Sequence, residues 1–294
     1  AITALLASGG EIVILDGTYN ITASINIPKD NVSIRGNGNA TVLKRMWDSS
    51  SPEGVITLTS VEGCRVENLQ IDGNKATYTA SYNYGIYLSS SSDNTITGNT
   101  CNNNSYGIRI SSSSDNTVTG NTCNNNIDGI YLSSSSDNTV TGNICKNNSV
   151  YGIYLSSSSN NNTVTGNTCN NNNTGIYLSS SSDNTVTGNI CKNNSVYGIY
   201  LSSSSNNNTV TGNTCNNNNT GIYLSFSCNN NTVTDNTCNN NSNSGIKLYI
   251  SCNNNTVTGN TCNNNSSGIN LSSSSKNTVT GNTCIRGTGQ IDDY

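Results

Sequence analysis

The phrase Asn-Thr-Val-Thr-Gly-Asn, followed after one further residue by Cys, returns with small variations from Asn94 to Cys284. Nine cysteines mark the beat at spacings of 22 to 24 residues: Cys101, Cys123, Cys145, Cys169, Cys191, Cys215, Cys238, Cys262 and Cys284. A fixed period of that length, built from short apolar pairs between Asn, Gly and Ser, is the mark of stacked coils. Each phrase is too short to bury an apolar face alone and must lean on its own copies.

Composition agrees. Only 32% of the residues are apolar and 10% are charged, far below what a compact globule of this length carries. Disorder goes with aperiodic sequence and high net charge, whereas this chain is periodic and its net charge is −4. A solenoid resolves the conflict, because a few inward residues per coil fill a narrow core. The basic residues are scattered, which argues against a nucleic-acid partner. No apolar run approaches the ~20 residues of a membrane span. Low charge and a Ser/Thr/Asn/Tyr surface point to an extracellular or cell-surface protein.

One regular coil reads Gly-Ile-Tyr-Leu, Ser-Ser-Ser-Ser, Asp-Asn-Thr-Val-Thr, Gly-Asn, Thr-Cys, Asn-Asn-Asn. Strand alternation turns Ile86 and Leu88 inward and Tyr87 outward. Ile96 and Cys101 follow inward on a second and a third strand, and Asn99 occupies the bend between them, where stacked amides form a ladder. The expected fold is all-β, a parallel β-helix with three parallel sheets and 22–24 residues per coil. Residues 1–8 are expected to form a short capping helix stopped by Gly9-Gly10, within a cap and irregular early coils over 1–54. Regular coils run over 55–284, and a tail occupies 285–294. Residues 137–182 and 183–228 are near-identical blocks that differ at Ser180/Phe226 and Ser182/Cys228, as a tandem duplication leaves them.

The Gly-Ile-Tyr-Leu and Asn-Thr-Val-Thr-Gly-Asn phrases resemble the right-handed parallel β-helix repeats of the pectin-lyase-like superfamily, most of all its archaeal surface-protein and periplasmic NosD-family subset. Gly9-Gly10-Glu11-Ile12-Val13-Ile14-Leu15-Asp16-Gly17-Thr18-Tyr19 resembles that superfamily's N-terminal cap. The resemblance implies a right-handed coil and leaves the activity open, since the superfamily spans lyases, hydrolases, epimerases, tailspikes and adhesins.

Several constellations invite a chemical reading. The column cysteines are expected to be buried free thiols, because stacked Cβ atoms ~4.8 Å apart exceed the ~3.8 Å typical of a disulfide. Cys228 and Cys252 sit instead in the turn, one coil apart, and form a disulfide candidate. The outward stripe carries Tyr131, Tyr154, Tyr177, Tyr200 and Tyr223 at one coil's spacing. It is either a self-packed stabilising ladder or a strip for sugar rings or a protein. Its other members include Arg109 and Lys247, isolated in sequence, and no carboxylate. That departs from the superfamily's lyases, in which clustered carboxylates hold calcium and an Arg or Lys acts as base. Asp93, Asp115 and Asp137 share one turn position and make a weak calcium candidate against the simpler reading of local turn bonding. The least repetitive stretches, residues 44–53 and 72–84, are expected to be neighbouring loops, with Trp47, Tyr78 and Tyr82 as candidate binding residues.

Histidine is absent, which removes His-based triads and His-ligated metals, and no cofactor is expected. A catalytic site needs residues that break a repeat, whereas a scaffold tolerates copying. The near-perfect duplication therefore points to a non-enzymatic structural or surface protein. Residues 285–294 offer no cap, so either the natural chain continues beyond Tyr294 or its open end docks on another molecule, giving filaments by self-assembly. The alternative is a carbohydrate-binding or carbohydrate-active protein whose partner is a surface glycan.

Overall fold

The structure, a computed structural model, describes residues 8–285. The capping helix expected over residues 1–8 lies outside the described residues, apart from Ser8 in a turn, and so does the tail from 286 onward. The described residues contain no helix. The chain divides after Ser149 into two compact units, and each is a parallel β-solenoid.

In the first unit, one sheet stacks Ile25–Ile27, Glu53–Thr59, Asn83–Ser89, Tyr106–Ser111 and Asp128–Ser133 in parallel. A second stacks Gly10–Val13, Val32–Arg45, Arg65–Asp72, Thr95–Thr97, Thr117–Thr119 and Thr139–Thr141. Ile56 lies beside Ile86, and Val66 beside Ile96. The second unit repeats the scheme from Tyr151–Ser156 to Ser267–Ser272 on one sheet and from Thr163–Thr165 to Thr278–Thr280 on the other.

The third sheet is thinner than the repeat predicts. It holds the strand Thr100–Asn102 and a column of single bridges, such as Thr122 to Ile144 and Thr214 to Thr237. The reason is the asparagine at the bend. Asn99 Nδ2 donates to Asn121 Oδ1 at 3.1 Å, and the Asn99 backbone N–H donates to the same oxygen at 3.0 Å. Side-chain amides therefore supply the inter-coil bonds that a longer strand would make. Two further columns do the same, represented by Asn94 to Asn116 and Asn104 to Asn126. These two columns, unlike that of Asn99, were not anticipated from the repeat.

The interior is the set of columns the alternation predicts. Ile86, Leu88, Ile96 and Cys101 are fully buried, as are their counterparts Ile176, Leu178, Val186 and Cys191. At ~25 cal/mol per Å² of apolar surface, each coil contributes modestly and only the stack is stable.

Candidate functional site

The outward face of the first sheet is where the two units differ. In the first unit, Arg109 occupies the position held by Tyr87 one coil before and Tyr131 one coil after. Its guanidinium carbon lies 3.7 Å from the centre of the Tyr131 ring and 5.9 Å from that of Tyr106. Tyr84 packs edge-on against Tyr87 at 5.3 Å and tilted against Tyr106 at 5.0 Å, and Tyr106 meets Tyr131 at 5.3 Å and 74°. Within this cluster Arg109 Nη1 is buried and has no hydrogen-bond partner.

The electrostatics follow from the packing. Burial pushes the Tyr84 phenol up to about 12, against the opposing pull of Arg109. Burial, then the negative charge of Asp128, raises Tyr106. Lys75, from the loop over 72–84, is lowered by burial, with Asp128 partly offsetting it. The exposed Tyr82 is within electrostatic reach of both Tyr84 and Tyr106. The cluster thus joins a cation with one buried, unpartnered nitrogen to phenols that burial keeps protonated.

In the second unit the same position carries Tyr154, Tyr177, Tyr200 and Tyr223. Their rings stack at 4.9, 4.7 and 5.2 Å with interplanar angles of 3°, 6° and 9°. Tyr151 and Tyr197 pack against the ladder from the strand entry. The Tyr177 hydroxyl pairs with Ser202 Oγ at 2.8 Å and that of Tyr200 with Ser225 Oγ at 3.0 Å. Ring faces are spent on each other and hydroxyls on serines, so this strip offers edges rather than faces for a sugar ring.

The other candidates disperse. The two irregular loops are neighbours, because Asp48 accepts from the Ala80 backbone N–H at 3.0 Å and from Asn83 Nδ2 at 2.8 Å. Trp47 makes contacts within the fold. It lies 3.9 Å from the guanidinium carbon of the fully buried Arg45, and its indole N–H donates to Glu53 Oε2 at 3.1 Å. Tyr78 is half-buried, and its backbone N–H bonds Asn74 O. Asp93, Asp115 and Asp137 are exposed turn residues in the left-handed region, with φ of 56°, 58° and 59°. Lys276 takes the same conformation at φ 59°. The twelve cysteines are all buried and free, Cys228 and Cys252 included.

Reasoning from sequence missed Tyr106 and Asp128, and held Lys75 and Tyr84 only as unnamed members of the stretch 72–84. The available signal was the phrase Tyr-Gly-Ile-Tyr at 84, 151 and 197. The pairing register skips the glycines Gly85 and Gly107, and at that break residues three apart come to share a face.

Comparison with known proteins adds a family and a fold. Residues 23–219 match a family model described as periplasmic copper-binding protein (NosD), and residues 170–284 match one described as right handed beta helix region. No curated protein matches in sequence. Among solved structures, the A-module of the Azotobacter vinelandii mannuronan C-5 epimerase AlgE6 is similar with a TM-score of 0.78 at 17% identity, over 95% of this chain and 91% of its own. The periplasmic alginate epimerase AlgG gives 0.62 at 17%, over 92% and 85%. The Dettilon tailspike protein gives 0.66 at 17%, over 90% and 61%. Such identities establish a shared right-handed coil. They also overturn the expectation of a non-enzymatic protein, because epimerases share this coil along nearly its whole length. The inference from duplication does not carry over the whole chain, because the copied blocks, residues 137–182 and 183–228, leave out the irregular stretches 44–53 and 72–84 and the position of Arg109.

Copper, which the first family description names, finds no fitting donor set. The chain has no histidine and one methionine. Among the described residues no three His, Cys, Asp or Glu side chains gather as a metal site, and the column thiols run in single file through a packed interior. No helix among them is long and apolar enough to cross a membrane.

Proposed function

We propose that this chain, which belongs to the NosD family, is a carbohydrate-active protein that takes an acidic polysaccharide on the outward face of its first unit, with Arg109 as the anion-holding group. The observation that carries this reading is the unpartnered, buried Nη1 of Arg109 among the tyrosines. A desolvated donor without an acceptor is unfavourable by about 1–3 kcal/mol, more for a charged group, and a carboxylate supplies the two oxygens a guanidinium fork matches. The fold likeness to epimerases named for mannuronan and alginate, both polymers of uronic acid, supports the same class of ligand.

The chemistry that suits these groups is proton transfer next to a carboxylate. Arg109 holds the carboxylate and so eases loss of the neighbouring C–H proton. Lys75, lowered by burial, is the candidate base, and the Tyr84 and Tyr106 phenols, raised by burial, are candidate donors on the return. No step is routed through copper. The family's periplasmic description supports action outside the cytoplasm.

Two measurements test the proposal. Calorimetric titration with polyuronates and with their carboxyl-reduced counterparts should give binding of the acidic forms only. Incubation with a bound polyuronate in deuterated water, followed by NMR, should show deuterium entering the carbon beside the carboxylate. Equal binding of acidic and reduced polymers, or none of either, sinks the role of Arg109. Binding without exchange restricts the protein to recognition.

A further inference from the structure

The duplicated blocks differ at two positions only, Phe226 and Cys228, and both fall in one turn. From Ser91 to Ser205 the buried residue of that turn is serine, as at Ser113, Ser135, Ser181 and Ser205. These serines form their own ladder: the Ser91 backbone N–H donates to Ser113 Oγ at 3.0 Å, and that of Ser181 to Ser205 Oγ at 3.2 Å. Cys228 and Cys252 take this place in two consecutive coils. Cys228 Sγ bonds Ser225 O at 3.2 Å and Cys252 Sγ bonds Tyr249 O at 3.3 Å, just as Ser205 Oγ bonds Ser202 O at 2.7 Å.

A thiol is a weaker acceptor than a hydroxyl, so the pair weakens a ladder that every serine would keep. The outer positions change as well. Phe226 and Ile250 adopt φ of 57° and 54°, where neighbouring coils place serine, and Phe226 is 50% exposed. Bulky and β-branched residues are uncommon in that region. Neither change helps the coil fold, and both recur in the same two coils.

We infer that Cys228 and Cys252 are a modification site, a dithiol that oxidises to a disulfide between adjacent coils. They occupy the same turn position in consecutive coils, each thiol donating to the backbone carbonyl three residues before it. Stacked Cβ atoms must close by about 1 Å from the ~4.8 Å inter-strand spacing, and this turn can supply that movement. It is where coils differ in length, and the longer ones absorb the extra residue as a second left-handed residue, as at Ser203 and Ser204. The column cysteines have no such freedom: Cys101 lies in a strand, the others each follow directly on a bridged residue, and all but Cys145 are seen packed against a glycine of the facing strand. The Cβ of Cys215, for example, lies 2.8 Å from where a Cβ on Gly198 would stand.

The reaction is thiol–disulfide exchange with a small-molecule or protein disulfide as oxidant. The Cys252 thiolate attacks one oxidant sulfur and expels a thiolate. The Cys228 thiolate then attacks the Cys252 sulfur and expels the second. Two protein S–H bonds are lost, one S–S bond forms, and the oxidant leaves as two thiols carrying the protons. Each cysteine lies one residue from a turn residue that is at least partly exposed, Ser227 or Ser251, so local opening of the turn admits the oxidant.

The test is to hold the reduced protein with oxidised glutathione, both native and during refolding, then alkylate in denaturant and map the peptides. Two of the twelve thiols should be lost, in a single Cys228–Cys252 cross-linked peptide, while ten are alkylated. Cys228→Ser and Cys252→Ser restore the residue the column uses elsewhere, so both variants should melt as cooperatively as the parent and keep all their remaining thiols. Reductant should lower the melting temperature of the oxidised parent and leave both variants unmoved. Twelve alkylated thiols after both treatments, or a cross-link between column cysteines with Cys228 and Cys252 free, overturns the inference.

Discussion

The outward tyrosines of the two units share a sheet position and do different work. In the second unit, four rings at 4.7 to 5.2 Å lie almost parallel, and two of their hydroxyls are tied to serines. In the first unit one arginine replaces a tyrosine, the rings tilt away from stacking, and a guanidinium nitrogen is left without a partner. Repetition closes a surface, since each residue finds its partner in its own copy. A single break in the repeat opens it. The comparison can be pressed at four points.

The largest effect is expected where the copied columns are tightest. A Cβ on Gly175 would stand 2.6 Å from Gly198 O, 2.9 Å from Cys191 Cβ and 3.0 Å from Asn194 Nδ2. Gly175→Ala should therefore destabilise the protein by about 3 kcal/mol or more, since neither a strand carbonyl nor a column cysteine can give way. In the first unit Gly38, at φ 61°, would meet nothing within 4 Å. Gly38→Ala should lose only ~1–2 kcal/mol through backbone strain. Chemical denaturation of the two variants checks the ordering, and equal losses would refute the claim that the columns are rigid.

Second is the functional contrast. Arg109→Gln should weaken binding of an acidic polysaccharide by about 10- to 100-fold, the worth of a charged hydrogen bond. Lys247, also a cation beside tyrosines, at 5.6 Å from Tyr223 and 5.1 Å from Tyr249, belongs to the closed surface. Lys247→Gln should leave affinity within a factor of about two. If the Lys247 variant loses as much as the Arg109 variant, the long strip binds the ligand and the first unit is not special.

How much of this was legible depended on where each signal lies. The period dictated the columns, and Ile86, Leu88, Ile96, Asn99 and Cys101 sit where strand alternation puts them. The stripe of tyrosines was legible as a register. What hid was anything assembled across coils without repeating. Arg109 looked isolated along the chain because its neighbours come from Tyr84 and Tyr87 one coil back and Tyr131 one coil on. Period-two alternation also assigns Tyr84 and Tyr87 to opposite faces, and only the break in pairing at Gly85 brings them together. Trp47 shows the converse. A unique aromatic in a loop reads as a ligand platform, yet a buried arginine had already claimed its ring.

Third comes pH. Burial holds Tyr84 in the first unit and Tyr223 in the second at about 12, against 10.0 for an unperturbed phenol. A raised folded-state value means that unfolding favours proton loss above pH 10. The contribution is thus fully present below about pH 10 and is lost as pH rises toward about 12, by roughly 2 kcal/mol or less per residue. Tyr84→Phe and Tyr223→Phe should each flatten the alkaline limb of stability against pH, measured by denaturant midpoints. A limb equally steep in the double variant would show that neither phenol drives it.

The smallest effect separates ladder from site most cleanly. Tyr177 contributes its ring to two stacked contacts and its hydroxyl to Ser202 Oγ at 2.8 Å. Tyr177→Phe keeps both ring contacts and removes only the hydrogen bond, so stability should fall by about 0.5–1.5 kcal/mol. Ser202→Ala removes the same bond from the other side, and the double variant should lose little more than either single one, because the bond can be lost only once. Polysaccharide affinity should not move in any of the three, since this hydroxyl faces a serine rather than a ligand. Additive losses would show that the two hydroxyls act independently. A fall in affinity would place the ligand on the second unit's ladder and remove the distinction between a closed and an open tyrosine surface.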